Sequence, residues 1–248
     1  RWDDATAPIL WIAVAAGRAE LQCVRRARVA VVATGDELRE AGAELAPGEL
    51  HNSNLTTLRA LVCAAGGELV LASHVGDDAA ATARCLGEAL EQADLVVCSG
   101  GVSVGPHDHV KGALTELGVT ELFWRVALRP GRPTWFGSRD TRLVFGLPGN
   151  PVSAIVTFLL FVAPALRALQ GRPAQTATTV KLGESIARHS GRDECVRVRL
   201  EDNKAFATGP QGSHILSSVA LADALAVIPR GAGSLAAGSE IELLPLQP

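Results

Sequence analysis

ADLVVCSGGVSVGPHDHVKGALTELG, residues 93–118, is the stretch whose reading decides the fold. DLVVCSG (94–100) is an apolar run that predicts a buried strand. It feeds directly into Gly100, Gly101 and Gly105, with Ser99, Ser103 and one carboxylate, Asp108. DHVKGALTELG (108–118) then has helical spacing. Backbone N–H groups in a glycine-rich turn can converge on an anion, and the following helix adds its positive end. A tight structural turn is the plainer alternative. Asp108 would repel a bound phosphate unless a hard cation such as Mg²⁺ lay between them; a plain helix N-cap is its other reading. His107 and His109 read as solvated loop residues.

The same grammar recurs upstream. RVAVVAT (28–34) predicts a buried parallel strand ending at Gly35. HNSNLTTLRALVCAAGG (51–67) predicts a helix, ELVLASHV (68–75) a strand, and DDAAATARCLGEALEQA (77–93) a helix. Alternation of this kind predicts a three-layer α/β/α unit around a parallel sheet. Ligands of such sheets bind past the carboxyl ends of the strands, so TGDEL (34–38), Asp77-Asp78 and the Ser99 loop are expected along one edge. Downstream, ELFWRVALRPGRPTWFGS (121–138) and RLVFGLPGNP (142–151) read as two or three more strands with Pro-Gly turns. PVSAIVTFLLFVAPALRALQG (151–171) predicts a closing helix, with Pro151 at its first position and Gly171 at its end.

After Gly171-Arg172-Pro173 the texture changes to short β-rich runs, which predict a small all-β barrel or sandwich. The expected organisation is a linker over 1–26, an α/β domain over 27–172 and a β domain over 173–248.

Composition fits a soluble globular chain: 48% hydrophobic and 20% charged over 248 residues. A formal net charge of −3 gives no reason to expect nucleic acid or an anionic membrane surface as partner. AIVTFLLFVAPAL (154–166) falls short of a membrane span and contains Pro164, so a buried core helix is expected. Five cysteines with no C-x-x-C pair read as reduced core thiols in the cytosol. The chain begins at Arg1 and has no methionine, so its first residue is expected not to be a natural start.

Three further segments carry chemistry-bearing side chains. Asp36 and Glu37 of TGDEL are either functional carboxylates or acids complementing a helix dipole. RVALRPGRP (125–133) sets Arg125, Arg129 and Arg132 around a Pro-Gly turn, and arginine forks suit oxyanions; a solvated basic hairpin is the alternative. GLPGNPVS (146–153) makes a rigid loop that places Ser153 in the first turn of a helix. The glycine-rich loop is neither G-x-G-x-x-G nor a P-loop, which disfavours dinucleotide dehydrogenases and P-loop NTPases. Carboxylates beside anion-type loops and arginines point to a phosphorylated or nucleotide-like ligand with Mg²⁺.

VVATGDEL, HNSN, VGDD, SGGVSVGPHDHVK, LRPGRP and GLPGNPVSA occur here in the order found in the molybdopterin molybdenumtransferase family, the MoeA and gephyrin E-domain type. GRDECVRVRL and GPQGSHILSSVALADALAVIP resemble that family's C-terminal β domain. The resemblance covers residues 25 to 248 and implies insertion of molybdate into adenylylated molybdopterin with Mg²⁺-assisted release of AMP. It implies Glu37, Asp77 and Asp108 as functional acids, with Asp108 and Glu37 toward Mg²⁺. It implies ligand binding by Gly35, Asp36, Asn54, Ser99, Gly100, Gly101, Val102, Ser103 and Gly105. Arg125, Arg129 and Arg132 would hold oxyanions such as molybdate, in a pocket shaped by Pro148, Gly149, Pro151 and Ser153. It also implies a cytoplasmic enzyme, a homodimer in full-length form, and contact with a molybdopterin adenylyltransferase. Family members carry a long N-terminal region forming two further domains, of which this chain would keep only a remnant, and arginine replaces the frequent lysine of R-P-G-R-P. The alternatives are an adenylyltransferase of the MogA type and a non-catalytic ligand-binding or scaffold fragment.

Overall fold

The computed structural model describes residues 7–102 and 108–246. In chain order its larger elements begin with α1 (Ala7–Ala15), β1 (Arg28–Thr34), β2 (Leu38–Arg39), β3 (Leu50–His51), α2 (Ser53–Ala64), β4 (Glu68–Val75), α3 (Ala79–Gln92) and β5 (Leu95–Ser99). Next come α4 (His109–Glu116), β6 (Thr120–Trp124), β7 (Leu128–Arg129), β8 (Trp135–Arg139), β9 (Arg142–Leu147) and the long helix α5 (Pro151–Leu169). The remaining strands are β10 (Thr178–Leu182), β11 (Ile186–Ala187), β12 (Asp193–Glu201), β13 (Lys204–Ala207), β14 (Ala224–Ile228), β15 (Ser234–Leu235) and β16 (Glu240–Pro245).

The first sheet has the order β4-β1-β5-β9-β8-β6. Its first four strands run parallel, and successive side chains of β1 enter opposite cores. Val29 and Val31 pack with Leu58, Val62, Phe145, Val152 and Phe158 on one face. Ala30 and Val32 pack with Leu86, Leu90, Val110, Leu114 and Trp135 on the other. Burial on both faces is why these strands read as unbroken apolar runs. The expected parallel sheet departs at β8, which runs antiparallel to both β9 and β6. The cause is local: Arg139 pairs with Arg142 across a two-residue turn, and Asp140 takes φ +53°, as tight hairpins require.

Helix α5 packs Val152, Val156, Phe158, Val162 and Leu166 into the first core. By length and composition it would suffice to cross a membrane, yet most of it is buried against the protein, as the sequence reading expected. A π-helical turn over Phe158–Val162 precedes Pro164, which lacks the N–H that a regular helix would aim at Leu160. The expectation of core thiols is met by Cys98 and Cys195 but not by Cys23 and Cys63, which are exposed; Cys63 lies on the outer side of α2.

In the C-terminal region β10-β16-β14-β12-β13 close on themselves, since β13 pairs with both β12 and β10. The result is a five-stranded barrel around Leu182, Val196, Val198, Ala205, Ala226, Ile228 and Ile241. Strand β7 adds to the barrel edge alongside β12, so the RVALR segment leaves the first sheet and joins the second.

Candidate functional site

The strand ends of the first sheet open on a cleft of about 200 Å³. It is lined by Thr34, Gly35, Glu37, Asn54, Asp77, Ser99, Gly100, Gly101, Asp108 and Gly149. Residues from five separate sequence segments thus meet past the carboxyl ends of parallel strands.

Backbone geometry builds the floor. Gly100 and Gly101 take φ +90° and +63°. A Cβ at Gly100 would lie 2.8 Å from the Thr34 carbonyl oxygen, and one at Gly101 would lie 2.5 Å from Val110 Cγ2. Both the left-handed backbone and the tight approach demand glycine here. Asn54 then ties the rims together: its Nδ2 donates to Ser99 Oγ at 2.8 Å and to the Gly149 carbonyl at 2.7 Å. Asn52, two residues earlier, caps α2 by accepting from the Leu55 N–H, which fixes Asn54 in the first helical turn.

Each carboxylate pair divides its labour. Asp78 caps α3, accepting from the Ala81 N–H at 2.6 Å, while Asp77 lines the cleft. Asp36 accepts the Asp77 N–H at 2.9 Å, holding the 76–78 turn against the end of β1, while Glu37 lines the cleft. TGDEL opens no helix; it passes into the two-residue strand β2, so the helix-dipole reading of Asp36-Glu37 falls. Glu37 folds back over Gly35, where a Cβ would lie 2.5 Å from Glu37 Oε2. Asp108 stands at the N-cap position of α4 but makes no capping hydrogen bond with its side chain, unlike Asp78.

Among the described residues no cluster of three metal-ligating side chains is close enough to enclose a metal ion. Glu37, Asp77 and Asp108 line the same cleft, where one or two of them could serve a hard cation only if a ligand supplied the remaining oxygens. Cys98 precedes Ser99 but is wholly buried, and burial pushes its thiol up to about 12. It offers no thiolate nucleophile at neutral pH.

A second, basic cleft of about 490 Å³ lies where the Arg125–Thr134 turn meets the turn before β12. Arg125, Arg132, His189 and Arg192 line it. The first turn is closed internally by Arg125 N to the Thr134 carbonyl and Val126 N to the Arg132 carbonyl, both at 2.9 Å. The second is braced by the Gly191 N–H on His189 Nδ1 at 3.0 Å. Asp193 N donates to the Ala127 carbonyl and stitches the two turns together.

Residues 30–168 match the family model described as a probable molybdopterin binding domain, and residues 179–246 match that of the MoeA C-terminal region (domain IV). The chain belongs to the MoeA family. It is 36% identical over 255 residues to molybdopterin molybdenumtransferase 2 of Mycobacterium tuberculosis, covering 97% of this chain and 62% of the relative. It is 33% identical to the molybdopterin molybdenumtransferase of Haemophilus influenzae, covering 92% of this chain and 58% of that protein. A crystal structure of the molybdopterin biosynthesis MoeA protein of Pyrococcus horikoshii superposes with a TM-score of 0.84 at 29% identity, over 97% of this chain and 60% of the other. The chain thus spans about three fifths of the length of these relatives.

In this MoeA-family chain the structure gathers Gly35, Glu37, Asn54, Asp77, Ser99, Gly100, Gly101, Asp108 and Gly149 around one cleft. Asp36 and Val102 sit behind it: Asp36 on the Asp77 amide, Val102 in the core beneath Gly146. Ser103, Gly105 and His107 lie outside the described residues. The arginines separate. Arg125 and Arg132 face the basic cleft, while Arg129 pairs with Glu194 at 2.9 Å on the barrel edge. Pro148, Pro151 and Ser153 line neither cleft, and Ser153 is buried. The Val152 N–H at the start of α5 already donates to the Ser213 carbonyl. Sequence reasoning missed His189 and Arg192, which lie more than fifty residues from Arg132. It also missed His74, whose Nε2 lies 2.8 Å from the Gly35 carbonyl. No local pattern marks either.

Proposed function

We propose that this chain carries the molybdate-inserting site of a molybdopterin molybdenumtransferase, acting on adenylylated molybdopterin with release of AMP. The observation that supports this most is the pairing of a carboxylate-lined, glycine-floored cleft with an arginine-lined cleft in one MoeA-family chain. The turn at Gly101 receives the phosphates on its backbone N–H groups, the Gly100 N–H being taken by the Leu147 carbonyl. Asp108 and Glu37 would hold Mg²⁺, which would supply charge neutralisation at the phosphate where AMP departs. Arg125 and Arg132, with Arg192, hold tetrahedral molybdate through charge-assisted hydrogen bonds. Asp77 orients the attacking oxygen, and catalysis is positional and electrostatic, without a covalent enzyme intermediate. The protonated Cys98 thiol accords with that last point.

The α/β domain spans 27–172 and the β domain 173–248, after a linker over 1–26. The full-length protein is a cytoplasmic homodimer that receives its substrate from a molybdopterin adenylyltransferase. An adenylyltransferase role for this chain itself is disfavoured by the match of residues 179–246 to the MoeA C-terminal region.

Incubating the chain with adenylylated molybdopterin, molybdate and MgCl₂, with and without the N-terminal region of a relative, and following AMP by chromatography tests this. Molybdate-dependent AMP release is expected. ATP-dependent adenylylation of molybdopterin, or no turnover under any of these conditions, would overturn it.

A further inference from the structure

Trp124 ends β6 and lines neither cleft, but it touches a residue next to each. Its indole N–H donates to the Val102 carbonyl at 3.1 Å, on the leg of chain that leaves Gly100 and Gly101. Lys111 Nζ, in the first turn of α4 behind Asp108, lies 3.3 Å from the ring centroid. The Arg125 guanidinium carbon lies 4.1 Å from the same centroid. Arg125 itself is held at φ +68°, a backbone conformation that non-glycine residues seldom adopt, and it lines the basic cleft. Two like charges converge on one aromatic ring, whose quadrupole attracts each while they repel one another.

We propose, building on the two-cleft reading above, that Trp124 is a positioning residue that couples the basic cleft to the acidic one. An oxyanion reaching Arg125 offsets its charge and relieves its repulsion of Lys111. Lys111, which already lies on the ring, is then held there more firmly, and α4 is kept with its N-cap residue Asp108 at the acidic cleft. The Val102 hydrogen bond transmits the same constraint to the glycine floor. Binding in either cleft therefore favours binding in the other, and by linkage the effect is reciprocal.

The test is isothermal titration of the chain with AMP in MgCl₂, with and without saturating molybdate, and the converse titration. In the unmodified chain molybdate is expected to tighten AMP binding about five-fold or more, with the same factor in reverse. Trp124→Leu should bring that factor to within about 1.5-fold of unity while each separate affinity moves less than about three-fold. Lys111→Met, which keeps an unbranched chain at this half-buried position, should also abolish it. Trp124→Phe keeps the ring, loses the N–H bond and should retain part of the coupling. A purely structural tryptophan would lower the unfolding midpoint and leave the coupling factor unchanged. Unmodified coupling in both Trp124→Leu and Lys111→Met, or two clefts that each bind but never couple, overturns the proposal. Failure of the unmodified chain to bind either AMP or molybdate has a different signature: it removes the two-cleft reading, and this proposal with it.

Discussion

The acidic and basic clefts are built by opposite means. The acidic cleft rests on backbone: left-handed glycines, strand ends, and Asn54, Asp36 and His74 bracing main-chain groups. The basic cleft rests on side chains carried by two turns, one from each sheet system, that meet only in the folded chain. A backbone-built cleft is rigid before its ligand arrives and ties binding to stability. A cleft of exposed arginines contributes little to stability and leaves binding free to vary. That contrast can be broken by mutation.

The largest effect is expected at Gly100. Gly100→Ala forces a Cβ onto the Thr34 carbonyl at φ +90°, and should cost about 2 kcal/mol or more of stability by urea unfolding. Arg132→Ala should stay within about 0.5 kcal/mol of the unmodified chain. Equal losses at the two positions would erase the distinction. Asn54→Ala removes hydrogen bonds to Ser99 and Gly149 and should cost about 1–3 kcal/mol, with weakened Mg²⁺–AMP binding by calorimetry. Retained affinity would mean that the two rims hold together without it.

A smaller effect belongs to the opposite sheet edge, away from both clefts. Hydrogen bonds from Arg25 at 2.5 and 2.7 Å, and then the Arg28 N–H, hold the Asp94 carboxyl below its ordinary 3.8. A depressed folded value means that its stabilisation is present above pH 3.8 and is lost as pH falls through and below it. Asp94→Asn should therefore cost about 1 kcal/mol at neutral pH and less at low pH, read as converging thermal unfolding midpoints. Midpoints that stay apart at low pH would contradict that sign. Arg129→Ala should matter least. Its partner is Glu194 on the barrel edge, so molybdate affinity should stay within about two-fold, and a larger loss would return Arg129 to the oxyanion site.

The same contrast explains what could be read from sequence. The strand-to-glycine transitions at Gly35 and Ser99 are local, and the sheet-edge rule gathers their neighbours without further information. Spacing alone does not say which member of each carboxylate pair faces the cleft, though the family resemblance points to Glu37 and Asp77: Asp78 rather than Asp77 caps α3 because of backbone angles at that one turn. The antiparallel β8 turns on Asp140, an ordinary residue in an uncommon conformation. The basic cleft needed the contact between Ala127 and Asp193 across distant sequence, and β7's transfer to the barrel separates Arg129 from its neighbours. Periodicity carries no signal for such pairings.

The central claim is that two chemically distinct clefts take two distinct ligands. Calorimetric titration of Mg²⁺–AMP and of molybdate into the unmodified chain, Asp108→Ala and Arg132→Ala tests it most directly. Asp108→Ala should weaken Mg²⁺–AMP about ten-fold and leave intrinsic molybdate binding nearly unchanged, and Arg132→Ala should do the reverse. Equal loss of both ligands in both variants, or loss of neither, would contradict the account.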